Sequence, residues 1–315
     1  MQNIYFRSYD QGFDSAKTHP YLIDHLNEKG YQVLYHPAIS YEEAYQLIHE
    51  CAGLVVTTRI PVDRRLIDRG IHLQWIARLG SGMELIDVAY ATSKGIRCVS
   101  SPEGNADAVG EHAVGMLVAL LRNFKVSYDQ LKEGIWEREK NRGYEIGGKV
   151  VGIIGYGHTG SAFARKLSGF GATILAYDKY KTGFGNEYVQ EVSLETIFRQ
   201  ADIVSLHVPL TEETHHMVNR RFIHAFAVPV YLINTSRGAV VHTHDLVEAL
   251  KEERIAGACL DVLENERIDH LTDAEQEDFQ YLLHHPRVIM TPHIAGYTHE
   301  ASLKMAQVVL HKLGI

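Results

Sequence analysis

Short apolar runs alternate with longer stretches of helical spacing from one end of the chain to the other. The runs Asn3–Phe6, Tyr31–His36, Leu54–Thr57, Trp75–Leu79 and Ile96–Val99 read as strands. Helical periodicity fills the intervals at His19–Lys29, Tyr41–Glu50, Asp63–Arg69 and Leu85–Ser93. Strands separated by helices predict βαβ units, and hence a parallel sheet with helices on both faces. Asn105–Asn123 then breaks the rhythm. It is apolar almost all round, as a helix buried between domains or subunits would be. Tyr128–Tyr144 is charged, carries a tryptophan and lacks strand character, so it is expected to wrap over the surface.

The alternation then resumes. Lys149–Ile154, Thr173–Tyr177, Ile203–His207, Val230–Asn234, Ala256–Asp261 and Val288–Met290 read as six buried strands. Helices are expected near Gly160–Phe170, Leu194–Gln200, Asn219–Phe226, Asp245–Glu253 and Ala274–Leu283. Six such strands suffice for a complete doubly wound nucleotide-binding domain. One last helix, His299–Leu313, has no strand after it.

Length and composition narrow the class. The chain has 315 residues, 45% hydrophobic and 22% charged, enough for two cores without metal or disulfide staples. With 31 basic against 39 acidic side chains the formal charge is −8, which disfavours nucleic acid and anionic membranes as partners. Cys51, Cys98 and Cys259 form no CxxC pattern and argue against a disulfide framework or thiolate zinc site. The opening MQNIYFRSYD lacks a signal-type pattern and no apolar run approaches membrane-spanning length, so a cytoplasmic protein is expected.

The most informative motif runs from Val150 to Gly160, VVGIIGYGHTG. A buried strand enters GxGxxG and a helix opens behind it. Gly155 suits the tight turn, Gly157 the approach of a pyrophosphate, and Gly160 close packing of helix on strand. The helix N-terminus offers N–H groups and a positive dipole end to phosphate. Asp178, ending the next strand, is placed to accept from the adenosine ribose hydroxyls and to repel a 2′-phosphate, favouring NAD over NADP. Lys179 and Lys181 follow it closely enough in sequence to be able to neutralise it in part.

Three further motifs follow strands and so fall at the same sheet edge. NTSRG (Asn234–Gly238) supplies Arg237, a guanidinium able to clamp a carboxylate. DVLENE (Asp261–Glu266) supplies Glu266, and TPHIAG (Thr291–Gly296) supplies His293. A histidine backed by a carboxylate is an acid–base pair suited to neutral pH.

Together GxGxxG, NTSRG, DVLENE and TPHIAG resemble the D-isomer-specific 2-hydroxyacid dehydrogenases over essentially the whole chain. LGSGMELID (Leu79–Asp87) resembles the family's substrate loop, and NADAVGEH (Asn105–His112) the start of its long interdomain helix. The resemblance implies an α/β protein of two doubly wound parallel-sheet domains. A Rossmann nucleotide domain, residues 102–291, is inserted into a flavodoxin-like substrate domain, residues 1–101 and 292–315, with the active site in the cleft between them. The orphan helix would then return to the first domain.

The roles that the resemblance implies are these. Arg237 holds the substrate carboxylate and carbonyl, with backbone N–H groups of Gly80, Ser81 and Gly82. His293 is the acid–base and Glu266 its partner. Asp261 binds the nicotinamide amide. Thr235, His207, Pro209 and Thr214 line the dinucleotide, with His158 and Thr159 near the pyrophosphate and Gly296 beside the cofactor. The expected cofactor is NAD, the substrate a small 2-oxo or 2-hydroxy acid, and the assembly a homodimer. Three positions depart from the family pattern: His158–Thr159 replaces Arg-Ile, His242 a common aspartate, and Arg267 a common proline. The nineteen histidines show neither HExxH nor a finger spacing, so no metal site is expected. Two alternatives stand beside this reading. One is a phosphoglycerate dehydrogenase without the regulatory domain, and the other an NAD-sensing corepressor-like binding protein.

Overall fold

In the computed structural model, residues 19–36, 39–57 and 60–315 are described in full, and residues 2–6 by their backbone. In chain order the elements of the first part are β1 (Gln2–Phe6), α1 (Pro20–Glu28), β2 (Tyr31–Tyr35), α2 (Tyr41–Leu47) and β3 (Cys51–Val56). They continue with α3 (Arg64–Arg69), β4 (Trp75–Arg78), α4 (Val88–Ser93), β5 (Arg97–Ser100), α5 (Pro102–Leu121) and α6 (Phe124–Lys132). The second alternation gives β6 (Val150–Ile154), α7 (His158–Leu167), β7 (Thr173–Tyr177), β8 (Gln190–Glu191), α8 (Leu194–Gln200) and β9 (Ile203–Leu206). After these come α9 (Arg220–His224), β10 (Val230–Asn234), α10 (Thr243–Lys251), β11 (Ile255–Leu260), α11 (Asp273–His284), β12 (Val288–Met290) and α12 (His299–Leu313).

Local chemistry sets many of these boundaries. Pro20 opens α1, where its missing N–H costs nothing. Ser40 with Glu43, and Thr272 with Glu275, close capping boxes on α2 and α11. α12 starts at the Thr298 cap and stops at Gly314, whose φ of 76° few other residues adopt. α5 begins at Pro102, earlier than its apolar stretch suggests. Gly104 lies there against the backbone of Met305, where a Cβ would come within 2.6 Å.

The chain divides into two units, residues 1–106 with 297–315 and residues 107–296. The family resemblance implies boundaries at 101/102 and 291/292; the division falls instead within α5 and just before α12. Unit 1 holds a five-stranded parallel sheet in the order β2-β1-β3-β4-β5, the flavodoxin-like order. β3 is buried along its whole length. Val309 and Leu310 of α12 join the core that Leu22, Leu26, Val55 and Trp75 form on one face of this sheet. The chain's last helix thus completes its first domain.

Unit 2 holds a seven-stranded parallel sheet, β12-β11-β10-β9-β6-β7-β8. Its order reverses between β6 and β9, and ligands of open α/β sheets bind beyond the strand ends at such a switch point. Two apolar cores, around Leu206, Val230 and Leu246 and around Leu117, Ile153 and Phe163, account for its burial. Sequence periodicity missed two elements. β8 is a two-residue exposed edge strand, and α6 has no buried residue.

Candidate functional site

β6 ends at the glycine turn, and each glycine there meets a different constraint. Gly155 has φ 92°, and a Cβ on it would lie 2.4 Å from the His207 carbonyl oxygen. At Gly160 a Cβ would lie 2.1 Å from the Gly155 carbonyl oxygen. Both are required by the protein's own packing. Gly157 is different: its φ is −83° and a Cβ there would meet nothing. The protein itself does not demand glycine at that position, whereas a closely approaching ligand would. Among the described residues no side chain caps α7, so its first-turn N–H groups are left for a ligand.

Asp178 closes the turn from the β7 side. Its Oδ2 accepts from the Tyr156 N–H at 2.8 Å, and Oδ1 accepts from the Tyr180 and Lys181 N–H groups at 2.9 and 3.0 Å. A carboxylate has about four acceptor positions, so some capacity is left for a ribose hydroxyl. His207 is buried between the Ser205 hydroxyl at 2.8 Å and the Thr159 hydroxyl at 3.2 Å. That burial depresses its pKa to about 3, so the ring is neutral. Thr214 donates to the Pro209 carbonyl at 2.6 Å and so closes the loop after β9. Thr235 is buried and its hydroxyl has no hydrogen-bond partner among the described residues. An orphan of this kind is where a bound group is expected. Together these features fit a dinucleotide lying across the ends of β6 and β9.

The carboxyl ends of β10, β11 and β12 carry the second cluster. Asn234, ending β10, accepts from the Ser236 N–H and hydroxyl and donates to the Arg237 carbonyl, which fixes the turn presenting Arg237. Arg237 is half-buried and donates to the Ser236 carbonyl. Gly238 then packs on main chain from the next strand's loop: a Cβ would lie 1.7 Å from the Leu263 carbonyl oxygen and 2.6 Å from the Glu264 nitrogen. This contact joins the arginine turn to the loop that bears Glu266.

Asp261, 1% exposed, organises the histidine turn. Its carboxylate accepts from the Ile294 N–H at 2.9 Å, the Ala295 N–H at 2.8 Å and the Thr291 hydroxyl. The His112 ring of α5 reaches Thr291 at 2.9 Å and Asp261 at 3.5 Å. The His293 N–H donates to the Asp261 carbonyl at 2.7 Å, holding His293 at φ 56°. In that left-handed conformation its Nδ1 stands 2.9 and 3.0 Å from the two oxygens of Glu266. The Glu266 hydrogen bond raises the His293 pKa. Burial and the Arg237 charge oppose that rise, and Asp261 adds to it. Both side chains of the pair are about half exposed, 48% and 46%. Nε2 has no partner among the described residues, so the ring's second nitrogen can exchange a proton with a bound molecule.

The structure thus brings Arg237, Glu266, Asp261 and His293 to one edge of one sheet. His158 lies exposed at the start of α7, and Gly296 ends the histidine turn. The Gly80–Ser81–Gly82 turn belongs to unit 1 and follows β4. Gly80, φ 139°, exchanges hydrogen bonds with Ser101, and Arg78 donates to the Gly82 carbonyl. The Ser81 and Gly82 N–H groups donate to nothing among the described residues, the condition for an anion-binding turn. His112, Asn234 and Gly238 were not singled out from the sequence. The Asn-x-Ser of NTSRG was a usable signal for the turn, but nothing in GEHA marks His112.

No group of three or more His, Cys, Asp or Glu able to hold a metal ion occurs among the described residues. No helix among them is long and apolar enough to cross a membrane.

A dinucleotide cradle beside an acid–base pair and an arginine defines a nucleotide-dependent oxidoreductase. Comparison with known proteins narrows the class. Residues 114–295 match the model for the D-isomer specific 2-hydroxyacid dehydrogenase NAD binding domain. A hydroxypyruvate reductase of Thermotoga maritima is 36% identical over 87% of this chain and 89% of its own. A glyoxylate reductase of Thermococcus litoralis is 35% identical over 84% and 80%. The D-lactate dehydrogenase of Aquifex aeolicus, solved with NAD and lactic acid, superposes with a TM-score of 0.83 at 28% identity, covering 99% of this chain and 94% of that one. The chain belongs to the D-isomer-specific 2-hydroxyacid dehydrogenase family. Its cofactor is NAD, and it is an oxidoreductase.

Proposed function

We propose that the protein reduces a small 2-oxo acid to the D-2-hydroxy acid, and runs the reverse reaction, with His293 as the acid–base. The observation that carries this reading is the His293–Glu266 pair beside Arg237, with Nε2 unengaged. Bound NAD supplies the hydride chemistry that the side chains lack. In reduction, His293 Nε2–H donates a proton to the oxygen of the carbonyl as it becomes an alcohol. In oxidation the neutral ring takes that proton back. Glu266 holds the Nδ1 proton, which fixes the tautomer and favours the charged ring. Arg237 offers a planar fork to the substrate carboxylate and orients the carbonyl. Gly155, Gly157, Gly160, Thr159, Asp178 and Thr235 hold the dinucleotide.

The two relatives direct the choice of substrate toward hydroxypyruvate and glyoxylate. The test follows NADH oxidation with hydroxypyruvate, glyoxylate, pyruvate and phosphohydroxypyruvate. Turnover of one or more of them is expected. A protein that binds NADH yet turns over none of them would refute the proposal and favour a sensing role.

The assembly proposed is a homodimer. Its support is a row of exposed apolar side chains on α6 and beyond it, Phe124, Tyr128, Leu131, Ile135 and Trp136, the last 81% exposed. Contiguous apolar patches of this kind mark interaction surfaces.

A further inference from the structure

β7 and β9 flank β6 in the sheet, so the loops leaving their carboxyl ends flank the glycine turn at the end of β6. These two loops are tied together by one side chain, Glu213. Its Oε1 accepts from the Lys179 ammonium, and its Oε2 accepts from the Tyr180 hydroxyl at 2.9 Å. We infer that Glu213 is a specificity-determining residue that excludes 2′-phosphorylated dinucleotides, by withholding Lys179 from the position beside Asp178. The inference rests on the reading that the dinucleotide lies at Gly155–Gly157 and Asp178.

A strand-end carboxylate repels a 2′-phosphate, and a neighbouring cation is what lets related folds accept one. This chain has two such cations, and both are engaged. Lys181 donates to the Tyr156 carbonyl at 3.2 Å, back into the glycine turn. Lys179 faces Glu213. A phosphate arriving next to Asp178 therefore meets a second carboxylate whose counter-charge it must compete for. NADH carries no 2′-phosphate and needs neither lysine. Glu213 thus acts on one cofactor and not the other, and Lys179 is the group through which it acts.

The Lys179–Glu213 pair is about half exposed, 53% and 50%. Exposed pairs are weak, which limits the effect of breaking one to about three- to fivefold in affinity. Dissociation constants for NADH and NADPH would be measured from cofactor fluorescence, with wild type, Glu213→Gln, Lys179→Met and the double variant. Glu213→Gln is expected to tighten NADPH by about three- to fivefold while NADH stays within about twofold. The double variant is expected to lose the NADPH gain. An unchanged NADPH-to-NADH ratio in Glu213→Gln, equal weakening of both cofactors, or a gain that survives in the double variant would each overturn the inference. Failure of the wild type to bind NADH would instead overturn the dinucleotide reading beneath it.

Discussion

Replacing Gly238 by alanine should damage catalysis more than stability. The substituted Cβ would lie 1.7 Å from the Leu263 carbonyl oxygen, where ordinary contact begins at 3.4 Å. The neighbour is main chain and cannot rotate away, so the two loops must separate by up to 1.7 Å. Gly238 does not have the left-handed φ that would strain an alanine, so the effect is steric. Overpacking of this sort costs about 1–3 kcal/mol. In a domain the size of unit 2 that corresponds to a fall in Tm of roughly 2–12 °C. Arg237 lies on one side of the contact and Glu266 on the other, two residues beyond Glu264. A misplacement of about 1 Å between positioned groups lowers rates about 10²-fold. The assay combines a thermal scan with kcat and KM on the best 2-oxo acid and a direct NADH titration. The expected result is a fall in kcat of about 10²-fold, with NADH affinity little changed. A Gly238→Ala enzyme with unaltered Tm and kcat would show that the two loops are not coupled as described.

Three other perturbations probe different parts of the molecule. Gly157→Ala meets no protein atom, so Tm should be unchanged while NADH binding weakens about tenfold or more; intact binding would mean that no cofactor passes close to Gly157. In Glu266→Gln the group that raises the His293 pKa is removed. Because reduction needs the protonated ring, its high-pH fall should move to lower pH, and the low-pH rise in oxidation should move the same way. Limbs that stay in place on a chemistry-limited substrate would refute the pairing. Wild type should sediment as a dimer, and Trp136→Glu should raise the dimer dissociation constant about tenfold or more; a monomeric wild type at micromolar concentration would refute the interface.

How much of this was legible in the sequence depended on how strongly each element imposes a pattern. Buried parallel strands such as Ile255–Leu260 are continuous apolar runs, and the glycine turn after Val150–Ile154 has few other readings, so the nucleotide domain could be read directly. α6 could not, because none of its residues is buried, and its apolar positions Phe124, Tyr128 and Leu131 are exposed and belong to no core of the chain. β8 is too short to show a period. At the site, Arg237, Glu266 and His293 were accessible because each follows a strand at the same sheet edge. The demands on Asp261 were not. A motif shows that a carboxylate is present, but not that backbone N–H groups from residues 294 and 295 already occupy it. Nor could spacing pair His112 with Thr291, 179 positions away.

The left-handed backbone at His293 bears on how an inert form of this enzyme should be made. Asp261 holds the turn through the Ile294 and Ala295 N–H groups and through Thr291, so the loop's shape does not depend on the imidazole. The residue at 293 must still tolerate φ 56°. Asparagine does so readily, while valine, isoleucine or threonine would be strained there. His293→Asn therefore removes the proton carrier, at a cost of about 10²–10⁴ in kcat, from a site whose main chain has no reason to move. Such a protein would retain its ligands while converting them only slowly, long enough for both to be observed together in place.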